Sequence, residues 1–204
     1  MGGWVEGPVT TTDEAAWIAR ARSGDAGAFE ALLNRYERQI FAYIYRMMGG
    51  NPDDAADLTQ ETFLKAYRAL GRTSDDLNVS AWLHRIASNS CLDELRRRQR
   101  IRWQPWDMMK HDRLLHGSAG ENPERSMLRQ ETEGTVQTIL NRMSARNKQA
   151  LVLREYEGLS CEDIGEIMGI SRSAVKSVLF RAREEFRKYS VELGFDAPLE
   201  DEEG

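Results

Sequence analysis

The stretch NPDDAADLTQETFLKAYRALG, Asn51–Gly71, carries the most complete set of helix-boundary signals in the chain. Asn51 can accept hydrogen bonds from the free amides of a first helical turn, and Pro52 suits the first helical position. The two aspartates that follow lie where the helix dipole favours negative charge. Gly71 is the residue type that ends a helix in the left-handed conformation. The stretch therefore predicts one helix with a defined start and a defined end.

The predicted helix has two contrasting faces. Apolar and small residues recur at three-and-four spacing and predict a buried stripe formed by Ala56, Thr59, Phe63, Ala66, Tyr67 and Leu70. The opposite face mixes charges, an amide and a leucine, and it consists of Asp57, Gln60, Glu61, Leu64, Lys65 and Arg68. A leucine among hydrogen-bonding side chains suits a surface that binds another protein. An ordinary amphipathic helix with a solvated face fits the same pattern, so the residues alone leave both interpretations open.

The rest of the N-terminal half also predicts helices, because no convincing run of alternating β-branched residues occurs in the chain. A Thr-x-x-Glu capping box opens the first helix at Thr11. The second helix begins at Asp25 and ends at Gly49–Gly50, and Ser80 caps a long fourth helix that ends near Arg100. Together with Asn51–Gly71, these helices are expected to form one compact bundle.

Helical periodicity fails between residues 101 and 130, where the run HGSAGENPE groups glycine, serine, asparagine and proline. This stretch predicts a flexible linker, whose Trp103, Trp106, Met108 and Met109 suit either packing on the bundle or contact with a partner. The predicted fold is all-α, with two small helical domains joined by that linker. The predicted segments are 1–24 (N-terminal extension and first helix), 25–100 (helical bundle), 101–130 (linker), 131–190 (second domain) and 191–204 (acidic tail).

The second domain contains a helix-turn-helix pattern at Ser160–Arg187. A short capped helix leads through a Gly169 turn into a second helix capped by Ser171. One side of this second helix is apolar and should be core: Val175, Leu179, Ala182 and Phe186. The other side could enter a DNA major groove: Arg172, Ser173, Lys176, Ser177, Phe180 and Arg181. A surface helix that happens to be basic is the simpler alternative.

A second candidate DNA-binding face lies on the helix Ser80–Arg100. Its members combine arginine with asparagine and aspartate, a mixture that can bind phosphates and read base edges: Arg85, Asn89, Asp93, Arg96, Arg97 and Arg100. Arg-rich helix ends are often only solvated, and the residues alone do not decide between the two roles.

Composition restricts the remaining possibilities. The net charge of −5 argues against nucleic-acid binding, but the positive charge is grouped on two segments, which makes its distribution more informative than its sum. The N-terminus has no secretory signal pattern and the chain has no long apolar run, so we expect a cytoplasmic protein without membrane insertion.

Cys91 and Cys161 are too few and too far apart for a disulfide framework or a zinc site. His111 and His116 have no accompanying cysteine, and we predict neither a metal nor a cofactor.

The segment DAADLTQETFLKAYRAL closely resembles the core-polymerase-binding helix of the extracytoplasmic function (ECF) sigma factors of bacteria. Asp57, Gln60, Glu61, Thr62 and Phe63 match the family pattern position by position. The resemblance implies that this face binds a coiled coil on the largest subunit of core RNA polymerase. The full set of residues it implies for that contact is Asp57, Gln60, Glu61, Thr62, Phe63, Leu64, Lys65 and Arg68.

Two further segments resemble the same family. LSCEDIGEIMGISRSAVKSVLFRAREEFR resembles the domain that reads the minus-35 promoter element and contacts the polymerase flap, with Ser171 added to the six residues of its groove-facing side. Val178 stands where arginine is common, Gly165 where alanine is common, and Cys161 where an aromatic is usual. The departure at Val178 puts one expected DNA-backbone contact in doubt. The departures at Gly165 and Cys161 look tolerable.

The helix Ser80–Arg100 resembles the one that recognises the minus-10 element, to which the resemblance adds Asn78 and Trp82. The preceding loop, Ser74–Val79, would then hold a base flipped out of the non-template strand. The match covers both domains in order and has no third sigma domain between them, which marks the ECF group. The linker would follow the polymerase channel.

The sequence is therefore identified as a member of the ECF sigma factors, a DNA-binding specificity subunit without catalysis of its own. The family implies three partners: core RNA polymerase, promoter DNA and an anti-sigma factor. One alternative is a stand-alone helix-turn-helix regulator whose N-terminal bundle senses a ligand or dimerises. A small helical hydrolase or nuclease is a second alternative, but the chain has no nucleophile motif and no phosphate-binding glycine loop.

Overall fold

The computed structural model describes residues 11–74, 77–102 and 123–195. These residues form α-helices and contain no strand, which confirms the all-α prediction. The helices of the N-terminal half are α1 (Thr11–Arg22), α2 (Ala26–Met47), α3 (Pro52–Leu70) and α4 (Val79–Arg102). Those of the C-terminal half are α5 (Pro123–Arg142), α6 (Ala145–Glu155), α7 (Cys161–Met168) and α8 (Arg172–Glu192).

The predicted start of α3 is present in detail. Asn51 Oδ1 accepts hydrogen bonds from the backbone amides of Asp53 (3.0 Å) and Asp54 (3.2 Å), and Pro52 opens the helix. The predicted end is wrong, because Gly71 is right-handed with φ −63°. The chain leaves α3 through tight turn bonds instead, in which the Arg72 amide donates to the Ala69 carbonyl at 3.0 Å.

Two other helix boundaries differ from the prediction. The residue that caps α4 is Asn78 rather than Ser80: its Oδ1 accepts a hydrogen bond from the Ala81 amide at 3.1 Å. Helix α5 begins at Pro123, well before the predicted end of the linker at residue 130. A proline is favoured in the first turn of a helix, where its missing amide proton costs nothing. The tryptophans and methionines of the predicted linker, the histidine pair and the acidic end of the tail lie outside the described residues.

Helices α1 to α4 pack as the predicted bundle, and α5 to α8 form the second helical unit. The core of the bundle is centred on the C-terminal half of α2, where Ile40, Tyr43, Ile44 and Met47 are fully buried. The buried stripe of α3 is displaced from its predicted position. Tyr67, predicted to be core, is 51% exposed, whereas the stripe consists of Ala55, Leu58, Thr59, Thr62, Phe63, Ala66 and Leu70.

The two halves share a continuous seam that the sequence did not predict. The last carbonyl groups of a helix have no partner within it, and here the C-terminal half supplies partners for the end of α2. Gln137 donates to the Arg46 carbonyl (3.0 Å), Asn141 to that of Gly49 (3.2 Å) and Lys148 to that of Met47 (3.3 Å). A lysine ammonium also complements the negative end of the α2 dipole. The seam is therefore hydrogen-bonded as well as apolar.

The helix-turn-helix is built around close packing at Gly165. Ser160 and Asp163 form a reciprocal capping box at the start of α7, and Gly169 turns the chain with φ 65°. A Cβ atom at Gly165 would lie 2.8 Å from the backbone carbonyl oxygen of Ile170. Glycine at this position is thus required by the turn, which is a stronger constraint than the sequence indicated.

Replacing Gly165 by alanine is expected to destabilise the chain. The new methyl group would meet backbone rather than a flexible side chain, and overpacking of this kind costs about 1–3 kcal/mol. Thermal denaturation followed by circular dichroism should show a melting temperature lower by about 2–12 °C. Gly134→Ala is the matched control, because a Cβ there meets none of the described residues within 4 Å. An unchanged melting temperature for Gly165→Ala would contradict the packing described.

Candidate protein and nucleic-acid interfaces

The mixed-polarity face of α3 is at the surface of the molecule. All six members of that face are exposed, and Leu64 is the most apolar of them, with 56% of its surface accessible. These residues are Asp57, Gln60, Glu61, Leu64, Lys65 and Arg68. Lys65 is held in place because its Nζ lies 2.6 Å from Glu61 Oε1 and donates to Ser90 Oγ of α4 at 2.9 Å. The face is therefore accessible to a partner and partly ordered in advance.

Two residues predicted for polymerase contact are not on this surface. Thr62 is fully buried and Phe63 is 5% exposed, because both lie on the side of α3 that faces the bundle. This corrects the sequence-based prediction: the side chain of Thr62 cannot be touched from outside the folded domain. Phe63 lies beneath the mixed-polarity face, where it lines an apolar groove between α2 and α3.

An apolar groove of about 380 Å³ runs beside the mixed face, between α2 and α3. Its lining consists of Phe29, Leu33, Glu37, Thr59, Gln60, Phe63, Leu64 and Tyr67. Phe29 and Tyr67 form one wall, with their rings edge to face and their centroids 5.0 Å apart. Sequence reasoning assigned Tyr67 to the core. The groove shares Gln60 and Leu64 with the mixed face, so the two features form one continuous surface.

The candidate minus-10 face of α4 is also largely exposed. Arg85, Asn89, Asp93, Arg96, Arg97 and Arg100 all lie at the surface, as their spacing predicts. Trp82 is half-buried and packs against the core, so its ring is only partly available. Asp93 and Arg96 pair with each other at 3.0 Å. Both are well exposed, and such surface pairs contribute little stability and separate easily.

Arg98 of α4 has a structural role that the sequence did not reveal. Arg98 reaches back to α3, where its Nη2 donates to Asp54 Oδ1 at 2.6 Å, and its Nε donates to Glu94 Oε1 at 2.7 Å. Glu94 also accepts from Arg97, and these guanidinium groups, Arg97 first, lower its pKa to about 2. The Glu94 carboxylate therefore stays ionised and orients the Arg98 guanidinium, whose bond to Asp54 joins α4 to α3.

Asn78, the first predicted minus-10 residue, is engaged within the molecule. Its side-chain amide donates to Asp163 Oδ1 of α7 at 3.1 Å. Helix α7 packs on α4, so the C-terminal half covers the region where α4 begins. Asn78 remains exposed in this arrangement, but its side-chain amide is engaged with Asp163.

The groove-facing side of α8 is fully exposed, as predicted. The exposed residues are Ser171, Arg172, Ser173, Lys176, Ser177, Phe180 and Arg181, with Phe180 at 68%. Arg172 pairs with Glu162 at 2.9 Å, again between two exposed groups. The opposite side is buried, and it includes Val178, which is 1% exposed. Val178 is therefore a core residue, and the DNA-backbone contact already in doubt at this position cannot come from its side chain.

Other kinds of site find no support in the part of the chain that the structure describes. No group of three or more histidine, cysteine, aspartate or glutamate side chains within it is arranged to hold a metal ion. None of its helices combines the length and the apolar content that crossing a bilayer requires.

Comparison with known proteins agrees with this architecture. The chain matches the family models "Sigma-70 region 2" over residues 32–101 and "Sigma-70, region 4" over residues 133–186. It is 36% identical to the RNA polymerase sigma-H factor of Pseudomonas aeruginosa over 186 residues, covering 88% of this chain and 95% of that one. It is also 36% identical to the ECF RNA polymerase sigma-E factor of Haemophilus influenzae over 177 residues, covering 85% and 92%.

Solved structures share the fold. CnrH, in complex with the cytosolic domain of CnrY, superposes with a TM-score of 0.64 at 24% identity, covering 91% of this chain and 99% of that one. The sigma factor RpoE of Bartonella quintana, in complex with the anti-sigma factor NepR, also gives 0.64, at 23% identity and with coverage of 83% and 98%. The chain belongs to the sigma-70 family of RNA polymerase sigma factors, within its ECF group.

Proposed function

We propose that the chain directs core RNA polymerase to promoters, with the mixed face of α3 and the adjoining groove as its polymerase-binding surface. The observation that carries this proposal is the exposure of that face beside an apolar groove, on a helix whose other side is fully committed to the core. An amphipathic helix of a coiled coil could place an apolar side chain in the groove, next to Leu64 and Tyr67. The charged residues around it would set the register of binding.

The two basic faces would then read the promoter. The N-terminal half of α8 carries arginine, lysine and serine at the surface, which suits contact with base edges and phosphates of the minus-35 element. The exposed face of α4 would meet the minus-10 element, and the loop before it would hold an extruded base. Strand opening would be assisted by binding alone, so the chain would act as an initiation factor and not as an enzyme.

The described arrangement cannot occupy both promoter elements at once. Elements centred near minus-10 and minus-35 are about 25 base pairs apart, or about 85 Å at about 3.4 Å per base pair. In this structure α7 of the reading domain contacts the start of α4 directly, through the 3.1 Å bond between Asp163 and Asn78. The seam between the halves must therefore open before the promoter is read. We assign the described arrangement to the free, closed state of the factor.

An anti-sigma factor would hold the chain inactive by covering these surfaces. A protein with the same fold, the sigma factor RpoE, was solved in complex with the anti-sigma factor NepR. The site of action would be the cytoplasm, where polymerase and promoters are found.

The test is promoter-directed transcription by purified components. Core polymerase mixed with this chain should produce transcripts from a promoter that core polymerase alone does not use. Pull-down of the chain by core polymerase in the absence of DNA should succeed as well. Tight sequence-specific binding to duplex DNA without polymerase, and no association with it, would instead favour a stand-alone regulator.

A further inference from the structure

The basic end of α4 contains an acidic residue that binds two of its arginines. Glu94 accepts two hydrogen bonds from Arg97, from Nε to Oε2 at 2.6 Å and from Nη2 to Oε1 at 2.7 Å. Its Oε1 also accepts from Arg98 Nε at 2.7 Å, and Arg98 Nη2 donates to Asp54 Oδ1 of α3 at 2.6 Å. These four residues, here called the Glu94 cluster, pair two guanidinium groups with two carboxylates. The cluster as a whole therefore carries no net charge.

The Glu94 cluster meets the conditions under which an ion pair near a protein surface is stable. Isolated exposed pairs contribute little, but bidentate arginine–carboxylate pairs and networks of several charges are the exceptions. Glu94 satisfies both conditions, and its side chain is only 15% exposed. The hydrogen bonds from Arg97, with a further contribution from Arg98, lower the pKa of Glu94 to about 2. The carboxylate thus stays ionised and paired near neutral pH.

The neighbouring pair of Asp93 and Arg96 is different. It is joined by a single hydrogen bond of 3.0 Å, and its side chains are 72% and 66% exposed. Such a pair separates easily when a phosphate group approaches. Arg85 and Arg100 have no ion-pair partner among the residues that the structure describes. Arg85, Arg96 and Arg100 are therefore available to DNA.

The positions of the arginines around α4 agree with this division. An α-helix turns by about 100° per residue, so Arg85, Arg96 and Arg100 fall within about 60° of one another. Arg97 lies about 60° beyond Arg100, and Ser90 lies about 20° beyond Arg97. Ser90 accepts a hydrogen bond from Lys65 of α3 at 2.9 Å. Arg97 is thus at the edge of the candidate minus-10 face, on the side where α4 meets α3.

We propose that Glu94 keeps Arg97 and Arg98 away from DNA, so that Arg85, Arg96 and Arg100 are the phosphate-binding residues of α4. The attraction between a protein and nucleic acid grows with the number of phosphates that the protein neutralises, whatever the base sequence. A carboxylate that neutralises two arginines therefore lowers affinity for DNA of any sequence, whereas contacts to base edges are unaffected. Glu94 acts in this way as a specificity-determining residue. The inference rests on the proposed function, in which α4 binds single-stranded DNA.

The test measures the salt dependence of binding between the full chain and a labelled single strand without promoter sequence, an oligothymidylate of about 20 nucleotides. Fluorescence anisotropy gives the affinity at several salt concentrations. Each phosphate contact contributes about 0.7 to the slope of log affinity against log salt concentration on single strands. Arg85→Ala and Arg100→Ala should each reduce this slope by about 0.7. Arg97→Ala should change it no more than Arg142→Ala, which removes the same charge from an exposed position outside α4.

Glu94→Gln should have the opposite effect and raise the slope by about 0.7. A neutral amide binds Arg97 less tightly than a carboxylate does, so Arg97 can turn to a phosphate. Adding Arg97→Ala to Glu94→Gln should remove the gain. The matched control is Glu192→Gln, which takes the same charge from an exposed pair with Arg142 and should leave the slope unchanged. Circular dichroism reports whether each variant folds, and if Glu94→Gln does not fold, the comparison of Arg97→Ala with Arg100→Ala decides.

The outcomes separate this inference from the proposed function. If Arg97→Ala lowers the slope as much as Arg100→Ala, the inference is refuted and α4 keeps its proposed role. Equal gains from Glu94→Gln and Glu192→Gln would refute it as well, because net charge alone would explain them. If the unaltered chain does not bind the strand, or if neither Arg85→Ala nor Arg100→Ala changes the slope, α4 does not bind DNA. The inference then fails together with that part of the proposed function.

Discussion

The double variant Asp57→Arg, Gln60→Ala is expected to bind core RNA polymerase at least about tenfold more weakly than the unaltered chain, a loss of about 1.4 kcal/mol or more. Both side chains are exposed on the mixed face of α3, and Gln60 also borders the groove. Reversing a charge inside an interface places like charges together or leaves a charge without its partner. Neither side chain supports the core, so the fold should be retained.

The measurement is an equilibrium titration of labelled chain with core polymerase at fixed salt, with circular dichroism as a check of the fold. Glu192→Arg is the matched control, because it reverses an exposed acidic charge at the far end of α8. It removes only a surface pair with Arg142, which is expected to contribute little. If the double variant and this control bind polymerase equally well, the binding surface lies elsewhere on the molecule.

The second large effect is expected from Arg172→Ala combined with Lys176→Ala. Both residues lie on the exposed N-terminal half of α8, the part of a recognition helix that enters the major groove. A good bidentate base contact contributes about 1–3 kcal/mol, and a phosphate contact adds affinity without regard to sequence. Promoter-directed transcription should therefore fall by at least about tenfold, while association with core polymerase in the absence of DNA stays unchanged.

The control for this pair is Arg142→Ala combined with Lys188→Ala, which removes the same charge from exposed positions outside the groove-facing side. Transcription should be measured at several salt concentrations, because loss of phosphate contacts also lowers the salt dependence of binding. Equal transcription by the two double variants would show that α8 does not read the promoter. An equal loss of transcription in both double variants would show that the effect comes from the change in net charge and not from these two positions.

Helix starts were predictable from the sequence because their signals are local. Asn51, Ser160 and Ser171 each accept a hydrogen bond from an amide two or three residues ahead, and each lies at the predicted position. The helix ends were less predictable. Gly71 has the freedom to turn left-handed but is not required to do so, and the chain instead leaves α3 through right-handed turns. Asn78 caps α4 two residues before Ser80, a choice between two competent residues that local sequence does not settle.

The exposed residues of the candidate polymerase-binding face could be predicted from the sequence, but the groove beside it could not. Helical periodicity correctly separated the exposed residues from the core, yet it assigned Tyr67 to the wrong side. This residue lies at the edge of the stripe, where the position of a neighbouring helix decides the outcome. Packing against Phe29 of α2 makes its ring a groove wall instead of a core element. A groove formed by two helices cannot be seen in the pattern of either one.

The seam between the halves could not be predicted from the sequence. Gln137 and Lys148 appear as ordinary polar residues on amphipathic helices, and their acceptors are backbone carbonyls of α2, about a hundred residues away in the chain. His84 likewise falls within a helix whose described charged residues are exposed or half-buried. The sequence offered one signal. Lys148 comes directly before the run Gln149–Leu153, which is buried in the structure, and a solvent-exposed lysine is unusual in that position.

Polymerase binding through α3 is tested most directly by site-specific crosslinking from position 64. Leu64 is 56% exposed at the centre of the mixed face, so a photoreactive amino acid can replace it without disturbing the core. In a complex with core polymerase, we expect crosslinks to the coiled coil of the largest subunit, and none to that segment from the same probe at position 192. A chain that supports promoter-directed transcription, yet crosslinks from position 64 to no part of polymerase, would contradict the assignment of this face to polymerase binding.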